Sequence, residues 1–191
     1  MKSELKEERV NRIITASAKI FSKNGYNNTK TSDISKEAGI ASGTLFNYFP
    51  TKLDLLNKTY EYTMLEILEL MKTNPETKMK ERLKIFWDNT VNYYLEKPYS
   101  LDFMMVFENS PLISEETHKK VNKKAYFLIE IYADIKKKEK YGKDFYLISN
   151  ITMSTLLSTL KSIKEYPDDV ERIKKTSFNY LWNGIGHPFE D

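Results

Sequence analysis

Cysteine is absent from all 191 residues, which excludes a disulfide framework, a zinc finger built on thiolates and a cysteine nucleophile, and suits a reducing compartment. Histidine is nearly absent, with only His118 and His187. Both stand away from any second histidine at helical spacing, so no histidine metal site is expected. No apolar run is long enough to span a bilayer. The opening Met1-Lys2-Ser3-Glu4-Leu5-Lys6-Glu7-Glu8 is charged and leads into no apolar stretch, so the expectation is a cytoplasmic chain without a leader or a membrane partner. A phosphate-cradling glycine loop and a nucleophile motif are also missing. These absences predict no enzyme, no cofactor and no metal, although a metal site built from carboxylates alone is left open.

What is present fits a packed protein. Hydrophobic residues make up 40% and charged residues 30%, the balance of a soluble globular chain. The length suits a small domain joined to a larger one. Net charge is only +3, but it is unevenly spread. Residues 1–52 hold nine basic side chains (Lys2, Lys6, Arg9, Arg12, Lys19, Lys23, Lys30, Lys36 and Lys52) against five acidic ones, while the remainder holds 21 against 22. A phosphate-facing surface needs its positive charge concentrated in this way.

The same fifty residues carry a pattern of short helices. Val10, Ile13, Ile14, Ile20 and Phe21, with small Ser17 among them, lie on one helix face. That helix is expected to stop at Asn24-Gly25. Thr31 or Ser32 is expected to cap a second helix running to Ala38, with Ile34 and Ala38 inward and Gly39 as its end. A third helix, Ser42 to Tyr48, follows a tight turn. Its Leu45 and Phe49 are spaced to face a core, leaving Ser42, Gly43, Thr44 and Asn47 outward. Two short helices joined by a glycine-containing turn form a helix-turn-helix, whose second helix enters the DNA major groove.

The remaining segments all read as helical. Thr51 and Asp54 form a capping box for a long helix toward Asn74-Pro75. Thr77–Glu96, Leu101–Phe107, Ser114–Ile135, Lys143–Glu165 and a last helix opened by Asp168 follow, separated by Lys97-Pro98, Asn109-Ser110-Pro111 and a lysine-rich exit at 136–142. The fold class is therefore all-α with about nine helices. A helix-turn-helix DNA-binding domain over residues 1–52 is followed by a larger helical domain over 53–191, to which the resemblance described next assigns ligand binding and dimerisation.

The run Arg12-Ile13-Ile14-Thr15-Ala16-Ser17-Ala18-Lys19-Ile20-Phe21 is followed by Asn24-Gly25-Tyr26 and Thr31-Ser32-Asp33-Ile34-Ser35-Lys36-Glu37-Ala38-Gly39-Ile40. With Gly43-Thr44-Leu45-Phe46-Asn47-Tyr48-Phe49-Pro50-Thr51-Lys52, these segments resemble the N-terminal domain of TetR/AcrR-family transcriptional regulators. The resemblance implies a double-stranded DNA operator as partner. Ser42, Gly43, Thr44 and Asn47 would meet base edges, and Thr31, Ser32, Tyr48 and Lys52 would meet phosphates. It implies a homodimer through the helices at 143–165 and 168–184. It also implies a small-molecule ligand in the larger domain, where the aromatics suggest an apolar or planar molecule. Trp87, Tyr94, Phe103, Phe107 and Phe127 are the candidate pocket residues. The sequence departs from the family pattern at Ala41, Ser42 and Phe46, where a small hydroxyl residue, a lysine and a tyrosine are common. No Lys or Arg occurs from Gly39 to Thr51, which removes the usual bidentate guanine contact from the third helix. Readout is then expected to rest on Ser, Thr and Asn contacts, thymine methyls and DNA shape. The alternative from another class is an all-helical protein that sequesters a hydrophobic molecule and uses its N-terminal unit for protein contacts.

Overall fold

The computed structural model describes residues 2–70, 72, 74, 77–124 and 145–185. Among these the architecture is entirely helical: α1 (Lys2–Asn28), α2 (Thr31–Glu37), α3 (Ser42–Tyr48), α4 (Lys52–Leu70), α5 (Met79–Glu96), α6 (Pro98–Phe107), α7 (Glu115–Lys124), α8 (Phe145–Glu165), a 3-10 turn at Pro167–Asp169, and α9 (Val170–Ile185). The fold expected from periodicity is therefore the one observed. Phe127 and the continuation of α7 toward Ile135 lie outside the described residues.

Helix boundaries follow local chemistry. Gly25 breaks α1 with φ 69° and ψ 175°, a backbone conformation essentially confined to glycine. Gly39 closes α2 at φ 64°. Thr51 and Asp54 cap α4 reciprocally: the Thr51 amide and hydroxyl donate to the Asp54 carboxylate at 3.1 and 2.7 Å, and the Asp54 amide donates to the Thr51 hydroxyl at 3.0 Å. Pro98 opens α6 from its first turn, three residues before the expected start, because its missing N–H is no loss there. The second helix departs from expectation. Its N-cap is Lys30, with no side-chain cap bond. Thr31 and Ser32 are already helical, so neither hydroxyl occupies the extended cap geometry.

The described residues form two compact units. The first comprises residues 1–66 and 97–124, so α6 and α7 pack with the N-terminal helices, and this unit extends well past residue 52. Its core contains Ile13, Phe21, Ile34, Leu45, Leu55, Leu56, Phe103 and Phe107, all essentially sealed from solvent. Each such side chain contributes roughly 1.5–3 kcal/mol through burial. The Phe103 and Phe107 ring centroids lie 4.9 Å apart, Phe107 meets Phe21 edge-on at 6.0 Å, and Phe21 stacks on Tyr26 at 6.1 Å. Asn57 of α4 ties down the segment before α7. Its amide donates to the Leu53 and Leu112 carbonyls, and its carbonyl oxygen accepts from the Ser114 amide and the Thr117 hydroxyl at 2.8 and 3.0 Å. Nearby, Tyr60 meets the His118 ring edge-on at 5.4 Å. Burial, reinforced by the charge of Glu108, pushes the Tyr60 phenol up to about 12.

The second unit comprises, of the described residues, those within 67–96 and 145–185. In it, α9 packs on α8 and α5. Trp87 is fully buried, donates its indole N–H to the Lys174 carbonyl at 3.1 Å, and lies beside Phe178. Lys174 is itself nearly buried; its ammonium donates to Asn92 and Glu171. Along α8, Thr152, Thr155, Thr159 and Ser162 each return a hydroxyl to the carbonyl four residues earlier, which satisfies the hydroxyls without tying α8 to another element.

Candidate nucleic-acid interface

The recognition candidate α3 is seven residues long and held from beneath. Leu45 is 1% exposed and Phe49, at its C-cap, 7%. Their spacing leaves Ser42, Gly43 and Asn47 exposed and Thr44 half-exposed, so the four base-contact candidates share the outer surface. Ala41 precedes the helix without a side-chain cap bond. Phe46 is 46% exposed on the same helix, an apolar surface of the kind that meets thymine methyls.

The phosphate candidates have distinct settings. Thr31 is half-buried and Ser32 exposed, in the first turn of α2; the Thr31 carbonyl accepts from the buried Ser35 hydroxyl. Tyr48 is half-exposed and lies beside Phe49 at 6.4 Å. Lys52 is half-buried and already engaged. Its ammonium donates to the Tyr26 carbonyl at 2.8 Å and the Thr29 carbonyl at 3.0 Å, and stands 4.3 Å from the Tyr26 ring centre. Arg9, Arg12, Lys23, Lys30 and Lys36 are exposed around this region, whereas Lys19 is paired with Glu37 at 3.1 Å. The surface can therefore present small hydroxyl and amide groups on a neutral helix, framed by cations from neighbouring elements.

The ligand-pocket candidates divide between the units. Phe103 and Phe107 pack in the first core against Phe21. Trp87 and Tyr94 are buried in the second unit, Tyr94 edge-on to Tyr93. A groove of about 390 Å³ between α8 and α9 is lined instead by hydroxyl side chains, including Thr155, Ser158, Thr159 and Thr176, with Arg172 and Tyr180. Large apolar side chains remain open along the same two helices: Leu147, Ile151, Met153 and Tyr180. Among the described residues no cluster of three metal-ligating side chains occurs, and no helix is long and apolar enough to cross a membrane. Sequence reasoning missed Tyr26, Thr29 and Asn57, because their partners are 23 to 60 residues distant.

A three-helix unit whose last helix is anchored by buried side chains and framed by cations has the arrangement of a helix-turn-helix. Residues 13–59 match the family of bacterial regulatory proteins, tetR family. The fatty acid metabolism regulator protein of Bacillus subtilis is 33% identical over 73 residues, covering 38% of this chain and 38% of that protein. Two solved structures show the same fold. A TetR family transcription regulator from Marinobacter aquaeolei VT8 superposes with a TM-score of 0.82 at 18% identity, over 96% of this chain and 97% of the other. FadR from B. subtilis in complex with stearoyl-CoA gives 0.67 at 21% identity, over 91% and 98%. The chain spans about a third of the length of the curated relatives it matches first, 32% and 38%.

Proposed function

We propose that this chain is a homodimeric transcriptional repressor that binds a near-palindromic DNA operator through α3 and is released by a small apolar or aromatic ligand bound beyond residue 52. The observation that carries the reading is the outward row Ser42, Gly43, Thr44 and Asn47 on a helix anchored by Leu45, within a segment that matches a family of DNA-binding regulators. Ser42, Gly43, Thr44 and Asn47 contact base edges, and Thr31, Ser32, Tyr48 and Lys52 contact phosphates. Dimerisation through α8 and α9 is supported by the exposed row Leu147, Ile151, Met153 and Tyr180, an apolar surface of the kind that a second copy covers.

The ligand acts by changing the separation of the two recognition helices, so that both no longer fit successive major grooves. The stearoyl-CoA held by B. subtilis FadR makes a long-chain acyl thioester the first compound to try. The direct test is a mobility shift with DNA from upstream of the chain's own coding sequence, across a range of salt. Thr44→Ala or Asn47→Ala should erode discrimination between operator and scrambled DNA, while Lys52→Ala should weaken binding to both. Equal effects of all three on both DNAs would refute the division of roles, and salt-independent behaviour would refute DNA binding. In that event, capture of a hydrophobic molecule without DNA binding becomes the better reading.

A further inference from the structure

The Lys52 ammonium is positioned before any DNA arrives. Two of its three N–H groups are already directed to the carbonyls of Tyr26 and Thr29, at 2.8 and 3.0 Å, and its charge lies 4.3 Å from the Tyr26 ring centre. That distance is well inside the reach of a cation over an aromatic face, about 6 Å. One N–H is left for an outside acceptor.

Each partner is fixed by something else. The Tyr26 ring stacks on Phe21 at an interplanar angle of 17°, and Phe21 is fully buried and braced by Phe107. Thr29 is 2% exposed, and its hydroxyl donates to the Gly25 carbonyl at 2.6 Å, closing the turn that follows the positive-φ glycine. The Thr29 carbonyl that holds the ammonium is two residues before Thr31, a phosphate candidate. A lysine on an exposed surface must lose the freedom of a long stem when it meets a phosphate; here that freedom is already restricted.

We infer that Tyr26 is a positioning residue. Its ring and carbonyl, with the Thr29 carbonyl, hold Lys52 at the junction of the α1–α2 turn and the start of α4, with one N–H free for a DNA phosphate. The inference rests on the proposed DNA-binding role and assigns Tyr26 a part in it that no base or phosphate contact of its own would require.

The test uses the full chain and a random-sequence DNA duplex, because a phosphate contact is blind to sequence. Lys52→Met should make the slope of log K against log salt shallower by about 0.9. Tyr26→Leu should weaken binding about two- to fivefold, and Tyr26→Phe, which keeps the ring, should bind as the unaltered chain does. In the Lys52→Met background, Tyr26→Leu should cost nothing further. The same fractional loss in both backgrounds would overturn the inference, since Tyr26 would then act through general packing. Proton NMR of the unaltered chain gives a second reading that needs no variant to fold. The Lys52 ε-methylene protons should be displaced upfield by the Tyr26 ring, and ordinary lysine shifts would overturn the inference. If the unaltered chain shows no salt-dependent DNA binding, the functional reading fails and takes the phosphate role with it. Upfield Lys52 protons in that case would identify the functional reading, not the local geometry, as the part at fault.

Discussion

Both units contain hydroxyls bonded four residues back in their own helix, Ser17, Ser35 and Thr59 in the first and Thr152, Thr155 and Thr159 in the second, and they differ in the ties added between distant segments. In the first, side chains reach across the sequence: Lys52 to the turn at 26–29, Asn57 to Leu112, Ser114 and Thr117, and Lys97 to Glu66. In the second, Thr152, Thr155, Thr159 and Ser162 bond within their own helix, while Trp87 donates to the Lys174 carbonyl, Lys174 to Asn92, and Lys80 stands over the Trp182 ring. Cross-element bonds specify where one helix sits against another, whereas a bond four residues back specifies nothing beyond the helix that contains it. The unit carrying the proposed reading surface is thus fixed internally, while α8 and α9 keep apolar side chains open.

The sharpest way to break this contrast is Phe107→Ala, which empties the meeting point of the α1 and α6 aromatics. It should cost about 3–5 kcal/mol. Both tryptophans, Trp87 and Trp182, belong to the second unit, so fluorescence reports that unit while circular dichroism reports both. In denaturant, Phe107→Ala should lower the dichroism midpoint more than the fluorescence midpoint; equal shifts would show that the units unfold as one. Asn57→Ala should come next, at about 2 kcal/mol, because it strands the Leu112 carbonyl and the Ser114 amide and leaves the Thr117 hydroxyl with only its Ser114 partner.

How much of this was legible follows from the reach of sequence patterns. Periodicity relates residues three or four apart, which is why the inward placement of Leu45 and Phe49, the stops at Gly25 and Gly39 and the Thr51–Asp54 cap were all visible. It carries no information about Phe21 meeting Phe107, or Trp87 meeting the Lys174 carbonyl 87 residues away. The expected cap at Thr31 or Ser32 failed by one or two positions, because residue type alone does not reveal which residue adopts the extended geometry; Lys30 does, at φ −94° and ψ 135°. Lys52 was legible as a cation near the reading surface. Its carbonyl partners were not, since backbone groups leave no mark on composition.

Smaller effects refine the comparison. Tyr60 has its phenol pushed from 10.0 to about 12, chiefly by burial. The unfolded chain then loses this proton near pH 10 while the folded chain keeps it, so Tyr60 favours folding below pH 10, and that contribution is lost as pH rises toward 12. Stability curves for the unaltered chain and Tyr60→Phe should diverge only across that window. In the second unit, Thr159→Val removes a bond from its hydroxyl to the Thr155 carbonyl and should cost less than about 1 kcal/mol. A loss as large as that for Asn57→Ala would erase the distinction between the two kinds of bond. Smallest of all, Glu116→Gln removes an exposed pair with Lys120, the source of the depressed Glu116 carboxyl, and the denaturation midpoint should not move measurably.

Gly25 is remembered by a structure only as the place where a helix ends, yet its inverted backbone has a remote consequence. By turning the chain there, it aims the carbonyls of residues 26 and 29 at a side chain on another helix. A β-carbon at this position would meet open space, so the harm in Gly25→Ala would not be a clash. It would be the loss of a receptor for a cation, and its symptom would surface at the first turn of α4, 27 residues along the chain from the altered atom.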